Sequence, residues 1–134
     1  MTAKVLLRIA SILMLLHTAG HTMGALTWDQ APNGKVAAVV AGMKAEHFDF
    51  GGRSVSLAGF FSGYGFSMIG VLLLVSFVLW SLAAEPNRRF ILLFGLFLMF
   101  FGSCELIWFF PFAAAFSLLA GLFTLIAYGK SNLR

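Results

Sequence analysis

The chain has 134 residues, of which 60% are hydrophobic and 10% are charged, and its formal net charge is +4. A water-soluble domain carries roughly 25% charged residues, so the composition argues against a soluble globular protein. The basic residues stand at the ends of apolar segments rather than in one cluster, which argues against a nucleic-acid-binding protein. The sequence therefore predicts an all-α integral membrane protein with no nucleic acid among its partners.

Four long apolar segments account for most of the chain. No Asp, Glu, Lys or Arg occurs in residues 9–28, 54–84, 90–104 or 106–129. A bilayer crossing takes roughly 20 apolar residues, so we place transmembrane helices at about residues 5–27, 57–83, 90–110 and 112–129. Runs such as "VLLLVSFVLW" lack the alternation of a membrane β-barrel. We expect a four-helix bundle that forms a single membrane domain over residues 1–134.

The first crossing contains two histidines, His17 and His21, in the stretch "LHTAGHTMGALTW". Residues four apart share one face of a helix, and Ala10, Met14 and Gly24 extend this stripe of small and polar residues. Such a stripe turns toward other helices in a membrane bundle. A cleaved signal peptide is the alternative for this segment, but apolar residues continue beyond the small residues that follow His17, so we expect an uncleaved helix.

A longer outer loop, residues 29–53, joins the first two crossings. Pro32-Asn33-Gly34 is a turn signal. The spacing of Val36, Val39, Val40 and Met43 predicts a short helix at the membrane surface, with a packed surface loop as the alternative. The loop also carries His47 and Asp49 in "EHFDFGG".

The second crossing begins with small residues at intervals of four, Gly59, Gly63 and Ser67. This pattern favours close contact with another helix and is compatible with a homo-oligomer or a partner membrane protein. Glu85-Pro86-Asn87 predicts its end. Pro111 predicts a tight turn between the third and fourth crossings, with one kinked helix as the alternative.

Polar residues on the last two crossings also predict inward faces. The third offers Gly95, Gly102 and Glu105, and the fourth offers Ser117, Gly121, Thr124 and Tyr128. A carboxylate at this depth is costly unless it pairs with histidine, is protonated or meets water. At 1.5 Å per residue, His17 lies ~14 Å and His21 ~20 Å above Arg8, while Glu105 lies ~24 Å above Arg89. The count places His21 nearest to the level of Glu105.

These residues predict an outward-facing polar pocket without identifying a reaction or a cofactor. The candidate ligand-binding residues are His17, His21, His47, Asp49, Tyr64 and Glu105. Three uses compete: a metal site at His17, His21 and Glu105, acid–base chemistry on a lipophilic molecule, and a structural role in which the histidines fix helix register. The expected partners are membrane lipid and a lipophilic ligand, and whether the protein is an enzyme stays open.

Charge sets the expected orientation. One side of the predicted bundle collects Lys4, Arg8, Arg88, Arg89, Lys130 and Arg134. By the positive-inside rule both termini face the cytoplasm, which gives an N-in/C-in topology.

The motifs "GHTMGALTW" and "EHFDFGGRS" also carry a resemblance. With them the chain resembles an uncharacterised family of small four-helix bacterial membrane proteins over essentially its whole length. The resemblance implies the bacterial inner membrane and implies no activity.

Overall fold

The computed structural model describes residues 1–131 and is almost entirely helical. In chain order its elements are α1 (Ala3–Thr27), α2 (Gly34–Ala45), β1 (His47–Phe50), β2 (Arg53–Ser56), α3 (Leu57–Ala84), α4 (Arg88–Trp108) and α5 (Pro111–Lys130). Helices α1, α3, α4 and α5 are long and apolar enough to cross a membrane. The prediction of four such helices is confirmed. Arg134, one of the basic residues that set the predicted orientation, lies outside the described residues.

The helix ends have local causes. The side chains of Asn33 and Asn87 each accept hydrogen bonds from two backbone amides, at the starts of α2 and α4. These bonds satisfy amides that have no partner within the helix. Pro111 is the first residue of α5, where its missing N–H costs nothing. The predicted short helix after Pro32-Asn33-Gly34 and the predicted break before Pro111 are both confirmed.

The hairpin of β1 and β2 is the element that the sequence analysis missed. The strands pair antiparallel, with His47 opposite Ser56 and Phe50 opposite Arg53. Gly51 and Gly52 form the turn with φ angles of 59° and 79°, a region that glycine adopts without steric cost. A two-residue Gly-Gly turn between alternating residues is a hairpin signal. The predicted all-α fold and the predicted loop over residues 29–53 did not include it.

One compact unit consists of residues 1–20 and 71–131. Its core contains Leu7, Met14, Leu79 and Leu98, all with side chains closed to solvent. Helices α4 and α5 approach closely at Gly102, where an added methyl group would lie 2.9 Å from the backbone nitrogen of Leu118. The small residues predicted to face inward on α4 and α5 therefore allow these helices to touch.

A second compact unit consists of residues 21–70, which include the end of α1, α2, the hairpin and the start of α3. Aromatic rings hold its parts together. The ring centroids of Phe48 and Phe60 lie 5.7 Å apart, and those of Trp28 and Phe61 lie 4.9 Å apart. None of the residues of α2 is buried, so this helix leaves its valine side chains available to a membrane surface.

Candidate functional site

A buried cluster of three polar side chains lies in the first unit and consists of His17, Glu105 and Ser117. The His17 ring is engaged at both nitrogens: Nε2 lies 3.1 Å from Glu105 Oε1, and Nδ1 lies 3.1 Å from Ser117 Oγ. His17 is 5% exposed and Glu105 is 6% exposed, while Ser117 is fully buried. We call this cluster the His17 triad. It connects α1, α4 and α5 through side-chain hydrogen bonds.

Each member of the His17 triad lies on the buried stripe of its helix. On α1 the stripe includes Leu7, Ala10, Met14 and His17. The corresponding residues of α4 are Ile91, Gly95, Leu98, Gly102 and Glu105, and those of α5 include Ser117, Ala120, Gly121 and Thr124. A spacing of three and four residues keeps all of them on one face of each helix. The three-four pattern thus brings a histidine, a carboxyl group and a hydroxyl group together.

Apolar rings surround the imidazole of His17. The ring centroids of Phe101 and Phe116 lie 6.4 Å and 6.1 Å from that of His17, and the Phe116 ring is roughly stacked on it. Apolar surroundings strengthen hydrogen bonds within the triad and raise the cost of any polar atom without a partner.

Glu105 Oε2 is buried and has no hydrogen-bond partner among the described residues. A neutral triad is a complete chain of donors and acceptors: Glu105 Oε1–H donates to His17 Nε2, and His17 Nδ1–H donates to Ser117 Oγ. Oε2 is then a neutral carbonyl oxygen. In the ion-paired form Oε2 would share the carboxylate charge, and a buried charged acceptor without a donor costs considerably more. The distances fit both forms, and the buried, unpartnered Oε2 is the feature that makes the charged form the more costly one.

The histidine that contacts Glu105 is His17, one turn earlier in α1 than the depth count indicated. The count treated Arg8 and Arg89 as one level. Counted instead from the helix starts, His17 lies about 21 Å and His21 about 27 Å along α1, while Glu105 lies about 26 Å along α4, so this count also favours His21. Residue counts give positions along each helix but not how far one helix is shifted along another, and that shift decides the partner of Glu105.

His21 has a different environment, within the second unit. Its Nε2 lies 3.0 Å from the carbonyl oxygen of Gly65 on α3, and the residue is only partly buried. A methyl group added at Gly65 would lie 3.3 Å from Ala25 Cβ, so α1 and α3 pass close to each other here. A single bond to a backbone carbonyl makes His21 a helix-to-helix contact.

The other predicted site residues lie in the hairpin and at the start of α3. His47 Nδ1 lies 2.9 Å from the carbonyl oxygen of Ala45, and His47 and Tyr64 both line a surface groove of about 560 Å³. Asp49 is exposed on β1 opposite Ser54 and is not among the residues that line the groove. The structure therefore places His17 with Glu105, places His47 with Tyr64, and gives His21 and Asp49 other neighbours.

A metal centre is not assembled from these side chains. Within residues 1–131, the His, Cys, Asp and Glu side chains form no group of three or more that fits a metal ion, and this includes the predicted set of His17, His21 and Glu105. The physical reason is that the two histidines of α1 have different partners: the ring of His17 engages Glu105, while that of His21 engages Gly65.

Two residues of these clusters were not among the predicted site residues. Ser117 was predicted on the inward face of the fourth crossing, but its pairing with His17 was not. Arg53 appeared only within the motif "EHFDFGGRS", because the hairpin that brings it to the groove was not predicted. A second polar contact inside the first unit joins Ser11 and Ser76, whose hydroxyls lie 3.1 Å apart.

One surface ion pair joins the loop to α2. Lys44 Nζ donates a hydrogen bond of 2.8 Å to Asp29 Oδ2. This hydrogen bond, together with the attraction between the two charges, lowers the pKa of the Asp29 carboxyl from its ordinary value. The ammonium group also lies 6.0 Å from the centre of the Trp28 ring. Lys44 thus fixes the position of α2 against the end of α1.

Four helices that are long and apolar enough to cross a membrane, together with a buried histidine–carboxyl pair, are consistent with a multi-pass helical membrane protein. No family model, curated protein or solved structure matches this chain.

Proposed function

We propose that the chain is a polytopic protein of the bacterial inner membrane with both termini in the cytoplasm. The basic residues at the ends of α1, α4 and α5 support this orientation by the positive-inside rule. The hairpin and α2 then face outward. The resemblance of the motifs in "GHTMGALTW" and "EHFDFGGRS" to small bacterial membrane proteins supports the same location.

Within this setting the protein binds a lipophilic small molecule through a polar group at Glu105, and His17 and Glu105 exchange a proton. The observation that carries the proposal is the buried, unpartnered Oε2 of Glu105. Buried polar atoms without partners are rare in proteins, and an unpaired carboxyl oxygen in a membrane segment is a site for a donor. A hydroxyl or N–H group of a ligand supplies that donor.

The surroundings of the triad support a lipophilic ligand. Since His17 and Glu105 are almost completely buried and phenylalanine rings lie against His17, the ligand approaches through lipid and has an apolar body. A single O–H group is sufficient for Oε2, as in a quinol, a sterol-like alcohol or an isoprenoid alcohol. When the ligand donates to Oε2, the proton on Oε1 is free to move to His17 Nε2, and Ser117 continues to hold Nδ1.

The second candidate is a structural or accessory subunit without ligand chemistry. The observation that favours it is the role of the same triad in joining three helices, because hydrogen bonds between helices stabilise membrane bundles by about 0.6 kcal/mol each. The close contact of α4 and α5 at Gly102 supports it as well. The two candidates differ in whether a molecule other than bulk lipid accompanies the protein.

The test compares the wild-type protein with Glu105→Leu and with Glu46→Gln, which removes an exposed acid, after purification in mild detergent. Native mass spectrometry and solvent extraction measure bound small molecules. We expect a lipophilic compound in stoichiometric amount with the wild type and with Glu46→Gln, and none with Glu105→Leu. If the wild type carries none and Glu105→Leu changes only the melting temperature, the accessory-subunit candidate replaces this one.

A further inference from the structure

A groove beside the hairpin contains a basic side chain next to small residues of α3. It has a volume of about 560 Å³, and its lining includes His47 and Arg53 from the hairpin and Gly59, Gly63 and Tyr64 from α3. All of these residues belong to the second compact unit. The groove is independent of the His17 triad, none of whose members lines it.

Charge in the groove has one sign. Arg53 is the fixed cation of the lining, and no aspartate or glutamate is among the lining residues. No ion pair of Arg53 occurs among the described residues, in contrast to Lys44, which is paired with Asp29. A planar guanidinium without a carboxylate partner is suited to a phosphate group.

The floor of the groove is suited to a hydrocarbon chain. Gly59, Gly63 and Ser67 follow each other at intervals of four on α3 and are all exposed. A methyl group added at Gly63 would have no heavy atom within 4 Å, so the surface is open at this point. Along the same helix Phe61 and Phe66 are more than half exposed, as expected for a surface in lipid.

Aromatic side chains indicate that the groove lies at the membrane interface. Tyr64, which lines the groove, is 72% exposed. Trp28 and Phe61 pack together in the same unit. Tyrosine and tryptophan are enriched in membrane proteins at the level where lipid headgroups meet acyl chains. A phospholipid has its phosphate and the start of its hydrocarbon chains at this level.

We infer that this groove binds an anionic phospholipid, with the headgroup phosphate at Arg53 and an acyl chain along Gly59, Gly63 and Ser67. Charge complementarity and the open small-residue floor support a lipid over a second protein helix. A helix seated on the glycines would cover them but would leave the guanidinium without an anion.

The experiment uses the full chain in nanodiscs or mild detergent with phosphatidylglycerol and phosphatidylcholine in equal amounts, followed by native mass spectrometry of retained lipid. We expect the wild type to retain phosphatidylglycerol in preference. Arg53→Gln should lower this preference about fivefold, because one basic residue near an anionic lipid contributes about that factor. Arg53→Lys should keep most of the preference, and Lys35→Gln, which removes an exposed cation outside the groove, should keep all of it.

A second variant tests the acyl-chain part of the groove without changing charge. Gly63→Leu fills the floor and should lower retention of both lipids, while the melting temperature reports whether the variant is folded. Equal retention of the two lipids by the wild type, or equal effects of Arg53→Gln and Lys35→Gln, would overturn the inference. The inference would also be overturned if soluble glycerol phosphate bound with the same affinity as the lipid. It would be overturned as well if Gly63→Leu dissociated oligomers and left lipid retention unchanged.

Discussion

His17 and His21 lie one turn apart on α1, yet they belong to two regions with different physical demands. In the first unit, His17 has a side-chain partner at each ring nitrogen and is 5% exposed. In the second unit, His21 has one backbone carbonyl as its partner and is only partly buried. His17 is therefore held by two buried side chains, whereas His21 is held by a single backbone carbonyl in a more exposed place.

The difference follows from what surrounds each turn of α1. In the first unit, stripes of small residues let helices approach closely and exclude solvent, so each polar atom needs a protein partner. In the second unit a short helix, a hairpin and exposed aromatic rings replace packed helices. Water and lipid headgroups satisfy polar atoms in such a region.

The largest effect is expected from substitution of the two histidines. His17→Ala removes a partner from Glu105 and from Ser117 and leaves a cavity, so it should lower the free energy of unfolding by about 3 kcal/mol. His21→Ala removes one bond to a carbonyl and should cost about 1 kcal/mol or less. Thermal or denaturant unfolding in detergent measures both. Equal losses for the two variants would mean that the contrast between the regions is incorrect.

A smaller effect is expected from adding methyl groups to glycines. Gly102→Ala places a methyl group 2.9 Å from the backbone nitrogen of Leu118, which cannot move as a side chain does, so α4 and α5 must separate. The expected loss is about 1–3 kcal/mol. Gly63→Ala meets no atom within 4 Å and is the matched control in the second unit. The control should be neutral or slightly stabilising, since alanine favours helix. A Gly102→Ala protein as stable as the control would contradict the close contact of α4 and α5.

The smallest effect concerns the exposed pair of Asp29 and Lys44. Because the pKa of Asp29 is lowered in the folded protein, the pair stabilises at pH values above the ordinary carboxyl pKa of about 3.9. That contribution is lost as the pH falls through the lowered value. Carboxyl NMR should show the Asp29 midpoint moving upward in Lys44→Met and staying constant in Lys35→Met. An unchanged midpoint in Lys44→Met would show that the ion pair does not hold α2.

Much of the fold could be predicted because its signals are local. Charge-free segments of sufficient length identify the four long helices, and Asn33, Asn87 and Pro111 mark where helices begin. The hairpin was missed even though Gly51-Gly52 is a turn signal, because each of its strands has only four residues and gives a weak alternating pattern. Helical spacing also predicted correctly that Glu105, Gly102 and Ser117 lie on buried faces.

The candidate site was harder to predict, because it depends on how far one helix is shifted along another. A shift of a single turn exchanges His21 for His17 beside Glu105, and residue counts along each helix do not fix this shift. Partners such as Ser117 for His17, or Arg53 for the groove, come from elements distant in sequence. Pairwise contacts of this kind leave no periodic signal in one chain.

We predict that the His17 triad is a neutral hydrogen-bonded chain with the proton on Glu105, because a charged Glu105 would leave Oε2 buried without a donor. Infrared difference spectroscopy between the wild type and Glu105→Gln at neutral pH tests it most directly, with Glu46→Gln as the exposed control. We predict that the wild type shows a carbonyl band of a protonated carboxylic acid that disappears in Glu105→Gln and persists in Glu46→Gln. If the wild type shows no carboxylic-acid band and Glu105→Gln loses carboxylate bands instead, Glu105 is charged and the prediction is contradicted.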